Sequence, residues 1–225
     1  MFDIGFYPLL VFVHIILFVL WLGADVGVFL LGQEFRRRDK YDLPQRLVLL
    51  QLLVHLDMVP RTAWALMVPL TITMVDAGAW WDLPVWAVIF SWLVGAVWLW
   101  LVWDAHIHDQ TDRAVRDRMI ESVLKFLLTA FYLGLGFVSL ATGEPLVPVW
   151  LATKALMFGI IFAAAIMIDV AFKPVGPQLV RLIEEGSSDV TEIPLLNTMN
   201  KTRIWVWIVY LLLLATAFLG NIKPI

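Results

Sequence analysis

Six times along its length the chain runs apolar for about 20 residues, the length that an α-helix needs to cross a ~30 Å hydrocarbon layer. These runs cover most of the 225 residues and leave no stretch long enough for a separate catalytic lobe in water. With 61% of residues hydrophobic and only 16% charged, the chain has too little polar surface to fold as a water-soluble protein. The expected fold class is all-α, a polytopic bundle of six transmembrane helices forming one domain over residues 1–225.

The spans are predicted at about residues 6–31, 58–76, 84–103, 122–141, 148–172 and 204–220. His55, Asp57, Pro60 and Arg61 interrupt the apolar stretch before the second span, so residues 44–57 read as an amphipathic or tilted segment with a kink near Pro60. Residues 173–203 read as a cytoplasmic loop with a short surface helix, Gln178 to Glu185, between Pro174, Gly176, Pro177 and Gly186. The run from Phe6 is too long for a signal h-region and the first basic residue is Arg36, so the first helix is expected to stay in the mature protein.

Arg36, Arg37, Arg38, Lys40, Arg46, Arg113, Arg116, Arg118, Lys173, Arg181, Lys201 and Arg203 fall in alternate connections, against Lys223 on the opposite side. The positive-inside rule then puts both termini on the non-cytoplasmic side of a bacterial-type inner membrane. Trp80, Trp81, Trp86 and Trp150 near one boundary, and Trp103, Trp205 and Trp207 near the other, fit interfacial belts. The 16 basic and 19 acidic residues cluster between apolar runs, so no basic stripe for nucleic acid exists. The chain has no Cys, which excludes a disulfide, a thiolate metal site and covalently attached c-type haem.

Ionisable residues at membrane depth carry the functional information, because each costs at least ~2.5 kcal/mol there unless it pairs, faces a cavity or binds something. His14 lies eight positions after Phe6 and Lys154 six after Pro148, both roughly 9–12 Å below the face where their helices begin. They are predicted to share an outer layer, His14 as a metal ligand and Lys154 as a proton donor. The competing readings are ordinary packing for His14 and outward snorkelling for Lys154. Asp25, Arg61 and Asp169 fall near the inner face. There Asp25 and Arg61 are predicted to form a structural ion pair between the first two spans, and Asp169 to meet Arg203. With His55 and Asp57 the same residues could instead form a proton route, or Arg61 or Arg203 could anchor porphyrin propionates.

His106 and His108 are two residues apart and so point to different helix faces. With Asp104, Asp109 and Asp112 they suit a solvated helix end or a loop metal site. The different depths of His14 and His55 favour one imidazole over two as axial ligand of any b-type haem. Trp86, Trp92, Trp98, Trp100 and Trp103 read as packing and interfacial residues, or as lining of a porphyrin or quinone pocket. No Walker loop, GxGxxG, HExxH or GxSxG pattern occurs.

Val13-His14-Ile15-Ile16 followed by Trp21-Leu22-Gly23 resembles the H-x6-W-x-G first helix of the CopD-like and HemJ-like integral membrane proteins. Trp150-Leu151-Ala152-Thr153-Lys154-Ala155-Leu156 resembles the tryptophan and lysine that open a later helix in the HemJ type, the membrane protoporphyrinogen IX oxidase. The ending Ile222-Lys223-Pro224-Ile225 is similar to that family's lysine-proline ending. The resemblance implies haem b held with His14 as its histidine and Trp21 and Trp150 beside it, and Lys154 as the functionally required lysine. The implied activity is oxidation of a porphyrinogen. HemJ-type proteins have four helices, so the third and fourth spans here would be insertions, and Ala152 stands where that type commonly carries a histidine. The CopD-like side is associated with copper, whereas the eight Met residues form no evident copper path.

The leading expectation is therefore a haem-binding redox protein, an oxidoreductase resembling protoporphyrinogen oxidase. Its expected partners are the bilayer and a porphyrin or quinone-type small molecule, with a homo-oligomer left open. The alternatives are a small permease for protons, metal ions such as copper or a small solute, and a non-catalytic membrane assembly subunit.

Overall fold

The computed structural model describes residues 5–223, and among them the chain forms eight helices and no strand: α1 (Phe6–Phe35), α2 (Leu43–Leu56), α3 (Met58–Ala77), α4 (Val85–Ile107), α5 (Asp112–Thr142), α6 (Val149–Phe172), α7 (Val175–Glu185) and α8 (Asp189–Ile222). Six stretches are long and apolar enough to cross a membrane: α1, α2 with α3, α4, α5, α6 with α7, and α8. The protein is thus an all-α, multi-pass membrane protein. Pro224 and Ile225 of the lysine-proline ending lie outside the described residues.

Local chemistry sets the helix starts. Pro84 and Pro148 stand just before α4 and α6, where a missing backbone N–H costs nothing. Asp42 with Gln45, and Ser188 with Thr191, close reciprocal capping boxes at α2 and α8. The Thr111 hydroxyl accepts from the Ala114 backbone at the start of α5. That helix stops at Gly143, whose φ of +79° suits a residue without a Cβ.

Two boundaries differ from the sequence reading for this reason. α5 begins at Asp112 rather than near residue 122, and α8 at Asp189 rather than 204. Thr111 and Ser188 start each helix in polar sequence, and α8 continues through Pro194 into the apolar span. The expected loop 173–203 is thereby helical for most of its length. The segment expected at 44–57 is α2 (Leu43–Leu56), and Asp57 joins it to α3, which carries Pro60 in its first turn.

The spanning helices α1, α3, α4, α5, α6 and α8 pack in chain order, each against the next. α5 and α6 approach closely because both offer glycine: a Cβ on Gly159 would lie 2.7 Å from the Leu133 backbone nitrogen. The first and last helices, α1 and α8, lack such extended packing with each other. The end where α1 starts and α8 stops is the terminal end, and the other, carrying the basic connections, is the basic end. Toward the basic end, the Tyr210 hydroxyl donates to the Asp25 carbonyl at 2.9 Å, and Phe29 meets Trp207 with ring centroids 5.4 Å apart. Toward the terminal end α1 and α8 part around a cavity.

At the basic end the last residue of α1, α7 and the start of α8 build a small core from Phe35, Val175, Leu182 and Leu195, against which Leu43 and Leu50 of α2 pack. Arg46 is buried beside it. Its Nε donates to the Phe35 carbonyl at 2.6 Å and its Nη2 to Glu192 Oε2 at 2.9 Å, and the guanidinium lies 4.9 Å from the Phe35 ring centroid.

Candidate functional site

A cavity of about 910 Å³ lies at the terminal end between α1, α3, α6 and α8. Its size falls within the range of about 300–1,000 Å³ usual for ligand pockets. His14 comes from the third turn of α1 and Lys154 from the second turn of α6, and both line this one space, as do Trp21 and Trp150. The shared depth read from the sequence therefore corresponds to a shared cavity. Among the described residues His14 Nδ1 is buried without a hydrogen-bond partner, which leaves Nε2 as the nitrogen able to meet a ligand. A ligating histidine usually gives its second ring N–H to an acceptor. Here packing alone orients the ring.

Lys154 extends across the cavity toward the end of α8: a Cβ on Gly220 would lie 2.6 Å from its Nζ. Gly220 is two residues from the end of its helix, so the ammonium sits nearer the terminal end than the Lys154 backbone does. Lys223 lies over Trp80 and Trp150, 5.4 and 5.3 Å from the ring centroids, in the manner of a cation on π faces. Among the described residues no carboxylate lines the cavity. Two ammonium groups thus face an apolar, aromatic space.

Aromatic rings form the floor. Trp21 stacks on Trp64 with centroids 5.4 Å apart, and Trp64 contacts Trp98 at 4.9 Å and Phe162 at 4.7 Å. Tyr132 stacks on Phe162 at 5.9 Å, and its hydroxyl is buried without a partner among the described residues while the residue lines the cavity. The sequence reading missed Tyr132. The available signal was a lone phenol in the middle of an apolar span, a group that normally finds a hydrogen bond when buried.

Beneath this floor a second pocket, of about 120 Å³, is bounded by Asp25, Asp57, Arg61, Glu121, Lys125 and Asp169, and Trp21 lines both spaces. Lys125 Nζ is 2.9 Å from Glu121 Oε1 and 2.9 Å from Asp169 Oδ2, and Arg61 Nε donates to Asp57 Oδ2 at 2.5 Å. Two expected pairings are corrected here. Arg61 bonds Asp57, one helical turn before it, and forms no ion pair with Asp25, since i,i+4 neighbours on a helical rise meet with little adjustment. Asp169 meets Lys125 rather than Arg203, because α5 packs along α6 and brings its buried Lys125 within 2.9 Å of that carboxylate. Arg61 also lies on the other side of the aromatic floor from His14, so the two do not hold one ligand in the larger cavity.

The remaining histidines lie apart from both pockets. His55 Nδ1 is 2.8 Å from the Gln51 carbonyl, its ring centroid is 5.7 Å from that of His106, and His108 Nδ1 is 3.0 Å from the Asp104 carbonyl. Among the described residues no group of three or more His, Asp and Glu is arranged to hold a metal ion. Chemically, the larger cavity offers one imidazole nitrogen, two ammonium groups and one phenol around an apolar volume. No protein-family model, curated protein or solved structure matches this chain.

Proposed function

We propose that the protein is a membrane-embedded haem-binding redox protein of the HemJ-like and CopD-like kind, with a single-histidine haem b in the terminal-end cavity. The observation that carries this reading is the meeting of His14 with two ammonium groups, with no carboxylate among the described residues lining the space, in one aromatic-lined cavity of about 910 Å³. These residues fit the group. His14 would supply the iron ligand, Trp21 and Trp150 would flank the ring, and Lys154 and Lys223 would hold the propionates through charge-assisted hydrogen bonds. Bound haem would supply one-electron chemistry.

The chain's own residues set the surroundings. Trp21, Trp64 and Phe162 exclude water from below the cavity. Lys154 Nζ carries a proton into the same space, where it can hold an anionic group or deliver that proton to a reacting atom. The Tyr132 hydroxyl is a further donor from α5. Oxidation of a porphyrinogen is the activity that the family likeness suggests. The excess of Lys and Arg in alternate connections supports a bacterial-type inner membrane with the terminal end on the non-cytoplasmic side.

The test is an absorption spectrum of the detergent-purified protein, before and after titration with haemin. A Soret band that is lost or displaced in His14→Ala, with the helical content unchanged, is the expected result. A colourless protein that takes up no haemin overturns the reading. A second reading, a small permease for protons, metal ions or a small solute, draws on the charged pocket beneath the aromatic floor. Uptake into vesicles that depends on Asp25 and Arg61, in a protein without chromophore, would favour it.

A further inference from the structure

We infer that the terminal-end cavity exchanges its ligand sideways with the lipid through the seam between α1 and α8, and that it admits by this route a lipid-dissolved amphiphile bearing a carboxylate. This rests on the cavity being a ligand site, as proposed above, and on its two ammonium groups, but not on the presence of haem.

The geometry gives the direction of access. Each spanning helix packs along its chain neighbour, whereas α1 and α8 lack such packing with each other. Below the cavity these two helices are held by the Tyr210 to Asp25 hydrogen bond and the Phe29 to Trp207 contact. Beside the cavity they contribute Ile15 and Phe218, which line it while remaining 53% and 58% exposed. A side chain that belongs to both surfaces stands at an opening. Both residues lie within spanning helices, so this opening faces acyl chains.

The water side is covered. Trp80 packs edge-on against Trp150 at 5.3 Å and against Tyr7 at 5.6 Å, and Lys223 lies across the two indoles. A water-soluble anion would have to displace that aromatic lid. A neutral lipid could pass the seam but would bring no acid to the two ammonium groups. An amphiphile with one carboxylate satisfies both conditions, its acid between Lys154 and Lys223 and its tail leaving past Ile15 and Phe218.

The full-length protein in phosphatidylcholine vesicles is photolysed with a diazirine-bearing palmitic acid or with its methyl ester, and adducts are located by peptide mass spectrometry. The acid is expected to label the cavity-facing turns of residues 11–18 and 213–222 at least about tenfold more than the ester, the ratio expected from a single charge-assisted hydrogen bond. The chain has no cysteine, so a bulky maleimide on Ile15→Cys can block the seam, and the same label on Val97→Cys, on an exposed face of α4, serves as control. Labelling should be lost in the first and kept in the second. Equal labelling by acid and ester, adducts spread evenly over the exposed faces of α4 and α5, or labelling that survives the Ile15 block overturns the inference. A colourless protein with seam-confined adducts removes the haem reading and keeps the seam; a haem-bearing protein with evenly spread adducts does the reverse.

Discussion

The Tyr210 hydroxyl donates a 2.9 Å hydrogen bond to the backbone carbonyl of Asp25, tying the last spanning helix to the first where the bundle has its weakest side-to-side packing. Tyr210→Phe keeps the ring against Phe29 and removes only the donor. A bond of this kind is worth about 1 kcal/mol net, so the thermal midpoint in detergent should fall by roughly 2–4 °C. An unchanged midpoint would mean that the aromatic contacts alone close the seam.

Lys154→Met keeps the length of the side chain and removes its charge. No carboxylate faces this ammonium among the described residues, so the fold should lose little, while haemin affinity should drop by about tenfold or more. Haemin titration beside a melting curve separates the two effects. A large loss of stability with unchanged affinity would make Lys154 a packing residue.

Gly220→Ala probes the same amine from the opposite helix. Its new Cβ would fall 2.6 Å from Lys154 Nζ, the far end of a flexible chain that can move aside. Stability should stay within about 0.5 kcal/mol of the parent, as for a substitution that strains nothing rigid, and anionic-ligand affinity should fall. Gly159→Ala makes the contrast, because its Cβ would meet the Leu133 backbone and should lower stability by about 1–3 kcal/mol.

Lys125 joins Glu121 and Asp169 at the basic-end pocket. Lys125→Met leaves two carboxylates without their cation and should cost about 3–5 kcal/mol. Adding Glu121→Gln and Asp169→Asn should recover part of that loss. If the triple variant melts no higher than the single one, the destabilisation comes from packing rather than from unpaired charge.

Glu192 lies in the polar start of α8, ahead of the span, where hydrogen bonds from Arg46 hold its carboxyl below the usual glutamate range. A lowered folded-state value means that the stabilisation is fully present above the unfolded value of about 4.3 and is lost as pH falls through the folded one. The parent should therefore lose stability on acidification below about pH 4, and Glu192→Gln should flatten that part of the profile. Thermal melts of both proteins across this range make the comparison.

The six spans and the common depth of His14 and Lys154 were legible because apolar length and helical rise are one-dimensional quantities. The partners of Arg61 and Asp169 were not. Choosing between Asp25 and Asp57 for Arg61 depends on how α1 sits against the junction of α2 and α3, which no periodicity encodes. Lys125 falls inside a predicted span, but that it is a buried charge held by Glu121 and Asp169 follows only from how α5 packs on α6. Tyr132 and Trp64 became notable only when packing left their polar atoms without partners. The family likeness stands on the short motifs around His14 and Lys154 and on the lysine-proline ending.

The stacked indoles of Trp21 and Trp64 act as a dielectric plug between two chambers in series. Charge gained or lost in the upper chamber cannot be neutralised by ions from the lower one unless a bulky ring swings away. A membrane potential, worth ~2.3 kcal/mol per elementary charge per 100 mV, can therefore stand across this molecule while its upper chamber changes charge.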